Sequence, residues 1–179
     1  MSRHIRVVNF ITMLIATEYK EQCCYRIAEN LQKISTCINL LTETEIWFSP
    51  SPTLNSVGNL MQHLCGNISQ YILTTLGGEA DNRNRDAEFE ISGNLSKAAL
   101  INKLQNIINN STLIIQQTTE QELLETKKVQ VYELTTIGIL LHVTEHLSYH
   151  TGQIVLLTKL ITQKDLAFYA GLDLNKKQA

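Results

Sequence analysis

The stretch "HVTEHLSYHTGQI", residues 142–154, places His142, His146 and His150 at four-residue intervals in an apolar run. The chain has five histidines, so most of its imidazole sits on one short segment. At about 100° per residue the three span about 80° of a helix. Ile139, Val143, Gln153, Ile154, Leu157 and Leu160 share that sector, which makes it the side facing a core. An inward imidazole with no partner costs roughly 1–3 kcal/mol. One such ring would find a backbone carbonyl, a hydroxyl or a buried water. Three on one inward face favour another use, because i, i+4 spacing lets two imidazoles converge on one metal ion.

Two ligands from one helix leave such a site incomplete. His4 lies in a stretch expected to fray, so the third ligand falls to His63 in "NLMQHLCGNISQ". On a helical wheel His63 sits beside Leu60 and Asn67 at the flank of the apolar stripe, where it can reach a cleft between helices. Three histidines with an open fourth position suit Zn²⁺, Ni²⁺ or Fe²⁺. Gln153 shares the histidine face and is placed to hydrogen-bond a ligand or to cap polar groups in the core. Asn59 and Asn67, one turn either side of His63, are placed to orient it, to contact substrate or to bond loop backbone. Asp81, Arg83, Arg85, Asp86 and Glu88 form a charged cluster. It reads as a solvated loop held by salt bridges, or as a loop whose Arg83 and Arg85 bind an anionic substrate. Glu145 is expected to be exposed and Trp47 to anchor the first loop. No serine or cysteine stands beside a base as a ready nucleophile.

The elements that must position these residues are helical. Within residues 25–41, Ile27, Leu31, Ile34, Ile38 and Leu41 form one stripe. Pro50 and Pro52 stop it, and Asn55 or Ser56 can cap a second helix over residues 56–76, ended by Gly77-Gly78. A third is predicted over 95–117 and a fourth, carrying the histidines, over 135–162, with a short extended piece at 129–132. Four amphipathic helices imply an all-α four-helix bundle over residues 18–170. Residues 1–17 would be an extension or a helix start, with Met13 an alternative first residue, and 171–179 a tail. Phe168 and Tyr169 are expected to pack back. The connections are longer than an up-down bundle needs, which implies a crossover or a functional loop.

The motifs "HLSYHTGQI", "LTETEIWFSPSPTLNSVGNLMQHLCGNISQYI" and "DNRNRDAEF" resemble an uncharacterised bacterial branch of the DinB-like superfamily, over about residues 18–169. In that superfamily an HxxxH followed by Gly-Gln on the last bundle helix joins a histidine of the second helix at a metal. The resemblance implies that His63, His146 and His150 are the ligands. His142, one turn earlier, departs from the pattern and would hold a water or anion or line the pocket. Characterised members include transferases that use bacillithiol or mycothiol and a mycothiol-dependent isomerase. The resemblance therefore implies a metal-dependent thiol transferase, with a low-molecular-weight thiol as cosubstrate. Metal-dependent hydrolysis is the alternative, and a non-catalytic metal-binding stress or interaction protein a third possibility. A di-iron carboxylate site would need Glu-x-x-His motifs, which neither "TEHLSYH" nor "MQHLCGN" supplies.

Composition narrows the partners. Fifteen basic against seventeen acidic residues, with no Lys/Arg cluster, argue against nucleic acid and leave a small-molecule substrate. Cys23, Cys24, Cys37 and Cys65 form no CxxC pair or disulfide framework and are expected to be reduced. The basic then apolar start is broken by Asn9 and Thr12 and lacks an A-x-A site, so a signal peptide is not expected. A cytoplasmic homodimer with no membrane span is the expectation.

Overall fold

Nothing between residues 3 and 40 can stop a helix: the segment holds no proline and no glycine. The computed structural model describes residues 3–90 and 95–177, the side chains of 3–10 excepted. In it α1 runs over Arg3–Leu40, starting well before the residue 25 that the apolar stripe marks. The stripe is faint there because the inward positions are Ala16, Tyr19 and Cys23, which are small or amphipathic. From Ile27 onward it is as read, with Ile34, Cys37 and Ile38 fully buried.

After the one-turn α2 (Glu43–Ile46), α3 spans Val57–Ile68. Ser56 caps α3 in a reciprocal box with Asn59: each side chain bonds the other's backbone N–H. The helix then widens into a π-helical stretch, Ser69–Thr74, and ends at Gly78 in the left-handed region with φ 77°. Helix α4 (Lys97–Gln117) is capped by Ser96, and the one-turn α5 (Glu120–Leu123) by Thr119. The extended piece expected at 129–132 is instead the turn of an antiparallel hairpin, with Gln130 at φ 54°, and the strands lie on either side: β1 (Thr126–Val129) on β2 (Tyr132–Thr135). Thr135 caps α6 (Thr136–Thr162), whose end is a left-handed Gln163.

Long-range contacts fix the helix directions. Lys97 at the start of α4 bonds the Leu41 carbonyl, while Lys20 bonds the Gln116 and Thr118 carbonyls, so α1 and α4 are antiparallel. The Tyr19 hydroxyl donates to the Ile137 carbonyl and Cys37 lies against Thr158, so α1 and α6 are parallel. His63 meets His146 and Asn67 meets His142, so α3 and α6 are antiparallel. Around the bundle α1 packs on α6 and α4, and α3 on α4 and α6. The order is up, down, down, up.

This order explains the long connections. Helices α3 and α4 point the same way, so the connection between them must climb back along the bundle, and residues 79–90 are its described part. They do so along α3: Asp81 and Arg83 bond Gln70, Glu88 bonds His63, and the Glu88 and Glu90 carbonyls accept from Asn59. Trp47 closes the top of the bundle, donating to the Leu95 carbonyl and packing its ring on Gly58. Beyond α6, Leu166 is buried and Phe168 packs on the core, whereas Tyr169 is mostly exposed. All four cysteines are free. Among the described residues no helix is long and apolar enough to cross a membrane.

Candidate metal centre

The up-down arrangement of α3 and α6 brings their histidines face to face. His63 Nε2 lies 3.1 Å from His146 Nε2, and His150 Nε2 lies 3.2 Å from the same atom. The three donor nitrogens all lie within 4.8 Å of one another. Two nitrogens each about 2.05 Å from a shared ion are about 3.3 Å apart at the tetrahedral angle and about 2.9 Å apart at a right angle. Both spacings to His146 fall between these. Among the described residues no fourth Cys, His, Asp or Glu joins the group.

Two of the three outer nitrogens are held by oxygen. His63 Nδ1 donates to Glu88 Oε2 at 2.8 Å, and His150 Nδ1 to Gln153 Oε1 at 2.7 Å. These partners assign the proton to Nδ1 in both rings and leave both Nε2 lone pairs aimed at the centre. His146 Nε2 can give one proton to one of them, and the other lone pair then faces no donor in the cluster. His146 Nδ1 is buried without a partner. A cation at the centre removes the conflict, so the donor set fits a divalent metal.

Electrostatics agree. Burial, reinforced by the neighbouring His150, His63 and His142, drops the His146 pKa to about 3, leaving a neutral imidazole with a lone pair free to bind a cation. Burial also lowers His150 and His142. For Glu88 burial acts upward, but hydrogen bonds from His63 and Arg83 outweigh it and hold the carboxyl below its usual range.

The remaining candidates divide. His142 stands outside the converging nitrogens; its ring stacks on Tyr71 (centroids 4.2 Å apart) and on His146 (5.4 Å), and its Nε2 is 3.4 Å from Asn67 Nδ2. With Glu145, His146, Ser148 and Tyr149 it lines a cleft of about 470 Å³ beside the cluster. Asn59 does not touch His63: it caps α3 and ties down the crossover backbone. Asn67 contacts His142 instead of His63. The Arg83 guanidinium is taken up by Glu88 Oε1 at 2.7 Å, Glu88 Oε2 at 3.0 Å and Gln70 at 2.9 Å. Arg85 is exposed, with its guanidinium 5.1 Å from the Phe89 ring centre, and Phe89 stands 5.0 Å from the His63 ring.

Glu88 is the residue that the sequence concealed. The charged cluster reads as solvated, yet Glu88 is only 7% exposed and touches a candidate ligand. Its signal was Gly66, one turn after His63: a Cβ there would collide with Glu88 Oε1. The glycine marks a close approach to the helix.

The bundle has the fold of solved DinB-like proteins. The chain belongs to the DUF1572 family, described as a protein of unknown function, whose match covers residues 14–171. No curated protein matches it. Among solved structures it resembles a DinB-like protein from Bacillus subtilis (TM-score 0.64, 16% identity, 83% of this chain and 96% of the other). It is similar to a DinB-like protein from Bacillus cereus ATCC 10987 (0.60, 15%, 75% and 87%). It also resembles a conserved protein from Enterococcus faecalis (0.56, 16%, 85% and 98%). At these identities the likeness establishes the fold.

Proposed function

We propose that the chain is a metal-dependent enzyme that transfers a small-molecule thiol to an electrophile, with His63, His146 and His150 holding the ion. The observation that carries the reading is the convergence of three Nε2 atoms from two helices within 4.8 Å. A divalent cation bound there (Zn²⁺, Ni²⁺ or Fe²⁺) supplies a Lewis acid that favours deprotonation of a thiol or water at its open position. The protein's part is positional. Glu88 and Gln153 fix two of the rings, and burial keeps His146 neutral. The absence of a fourth ligand among the described residues, and the cleft along His142 and Tyr149, favour a catalytic over a purely structural ion. Choosing thiol transfer over hydrolysis rests on the resemblance to characterised DinB-like enzymes.

The test begins with protein purified without a nickel column. Elemental analysis should find about one divalent ion per chain, and low-molecular-weight thiols are then screened against electrophiles. Turnover that persists after verified metal removal would overturn the proposal. The homodimer is part of the same reading: Leu141 and Leu156 are exposed along α6, as is Leu160, which the sequence spacing puts on the core side. Sedimentation should give twice the 20.3 kDa chain mass.

A further inference from the structure

We infer that Glu88 is a positioning residue for His63, and that Arg83 and Gly66 serve to seat it. The inference rests on the metal-binding reading above and concerns the crossover, whose described residues supply no ligand to the cluster.

The geometry is closed on every side. One carboxylate oxygen of Glu88 accepts from His63 Nδ1 at 2.8 Å and the other from Arg83 Nε at 2.7 Å. The side chains of His63, Glu88 and Arg83 are 8%, 8% and 4% exposed, so this is a buried system and not a surface pair. A buried carboxylate left unpaired would be strongly destabilising, and here both of its oxygens are engaged. Arg83 is held in turn by Gln70, and the Glu88 carbonyl by Asn59. The carboxylate can come this close only because residue 66 has no side chain.

Each part has one consequence for His63. The carboxylate fixes the proton on Nδ1 and so directs the Nε2 lone pair at His146 and His150. It also makes the ring a stronger donor than an amide partner would. By contrast His150 has Gln153, and His146 has no partner on Nδ1. His63 is thus the one ring of the three backed by a full negative charge. Arg83 is committed to that carboxylate and holds it in place.

Two variants that share no chemistry test this. Glu88→Gln keeps the shape and removes the charge; Gly66→Ala keeps the charge and displaces it. Zinc affinity is measured by chelator competition on protein stripped of metal. The ¹⁵N shifts of the His63 ring are recorded on the metal-free samples, with far-ultraviolet dichroism to confirm folding. Both variants should bind zinc 10–100-fold more weakly than the wild type. Gly66→Ala should shift His63 away from the Nδ1–H tautomer. Affinities within twofold of wild type in two folded variants, or an unchanged His63 tautomer in Gly66→Ala, would overturn the inference while leaving the metal site standing. If the wild type binds no zinc, the proposed function falls instead. The His63 spectra then decide the positioning role alone: a wild-type Nδ1–H tautomer lost in Gly66→Ala supports it, and an unchanged one rejects it.

Discussion

His142 and His146 are one turn apart on one helix, stacked ring on ring, yet only His146 belongs to the converging group. That difference should separate in a binding measurement. Replacing His63, His146 or His150 by alanine should cost at least tenfold in zinc affinity, because two imidazoles close no stable site. His142→Ala should leave affinity within about threefold, since His142 lies outside the three converging nitrogens. A titration distinguishes the four variants. Protonation belongs to the same scale. In metal-free protein the His146 pKa falls from 6.5 when unfolded to about 3 when folded. Between those values the unfolded chain binds more protons, so stability is complete above about pH 6.5 and declines as pH falls towards 3. Urea midpoints at pH 7.5 and pH 5 should show the decline, and His146→Ala should lessen it, His142 and His150 accounting for the rest.

Helices were legible where their apolar residues are large. The stripe from Ile27 to Leu41, the Ser56 cap and the span of α6 are all present as residue types at fixed spacing. The first half of α1 was not, because Ala16 and Cys23 give a weak periodic signal, although no breaker interrupts it. The hairpin was only glimpsed, since strands of four residues carry too few alternations to read. The crossover was opaque for a different reason. Its charges look solvated until the partners of Glu88, namely Arg83 nearby and His63 on another element, are in place. The histidine pair on α6 and its partner on α3 needed only spacing and scarcity, and so could be picked out. Element ends also give tests. Ser56→Ala removes the acceptor for the Asn59 N–H and a 2.7 Å bond to its side chain, and should cost about 1 kcal/mol. At Gly58 a Cβ would lie 2.6 Å from the Trp47 ring, so Gly58→Ala should cost about 1–3 kcal/mol as the indole is pushed from the Leu95 carbonyl. Chemical denaturation measures both.

For the whole molecule, an ion held between α3 and α6 is a cross-link between the second and fourth long helices. Such an ion would bind the folded chain far better than the unfolded one, so stability should rise with free metal. At about a hundred times the dissociation constant the gain is about 2.7 kcal/mol, and at about 2–4 °C per kcal/mol the melting temperature rises by roughly 5–11 °C. Calorimetry with and without zinc, repeated on His63→Ala, checks this: the variant should lose most of the rise.

Running α3 and α4 in the same direction has a price in time. His63 and His146 are 83 positions apart, and both the crossover and the hairpin are made between them. A ribosome adding about 5–20 residues per second has His63 ready several seconds before the opposing imidazoles exist. Until α6 emerges and docks, the growing chain can offer an ion only a single weak ligand from this cluster. On the proposed reading, metal capture would therefore be a late event in the birth of the protein, and early emerging chains could not hoard the ion.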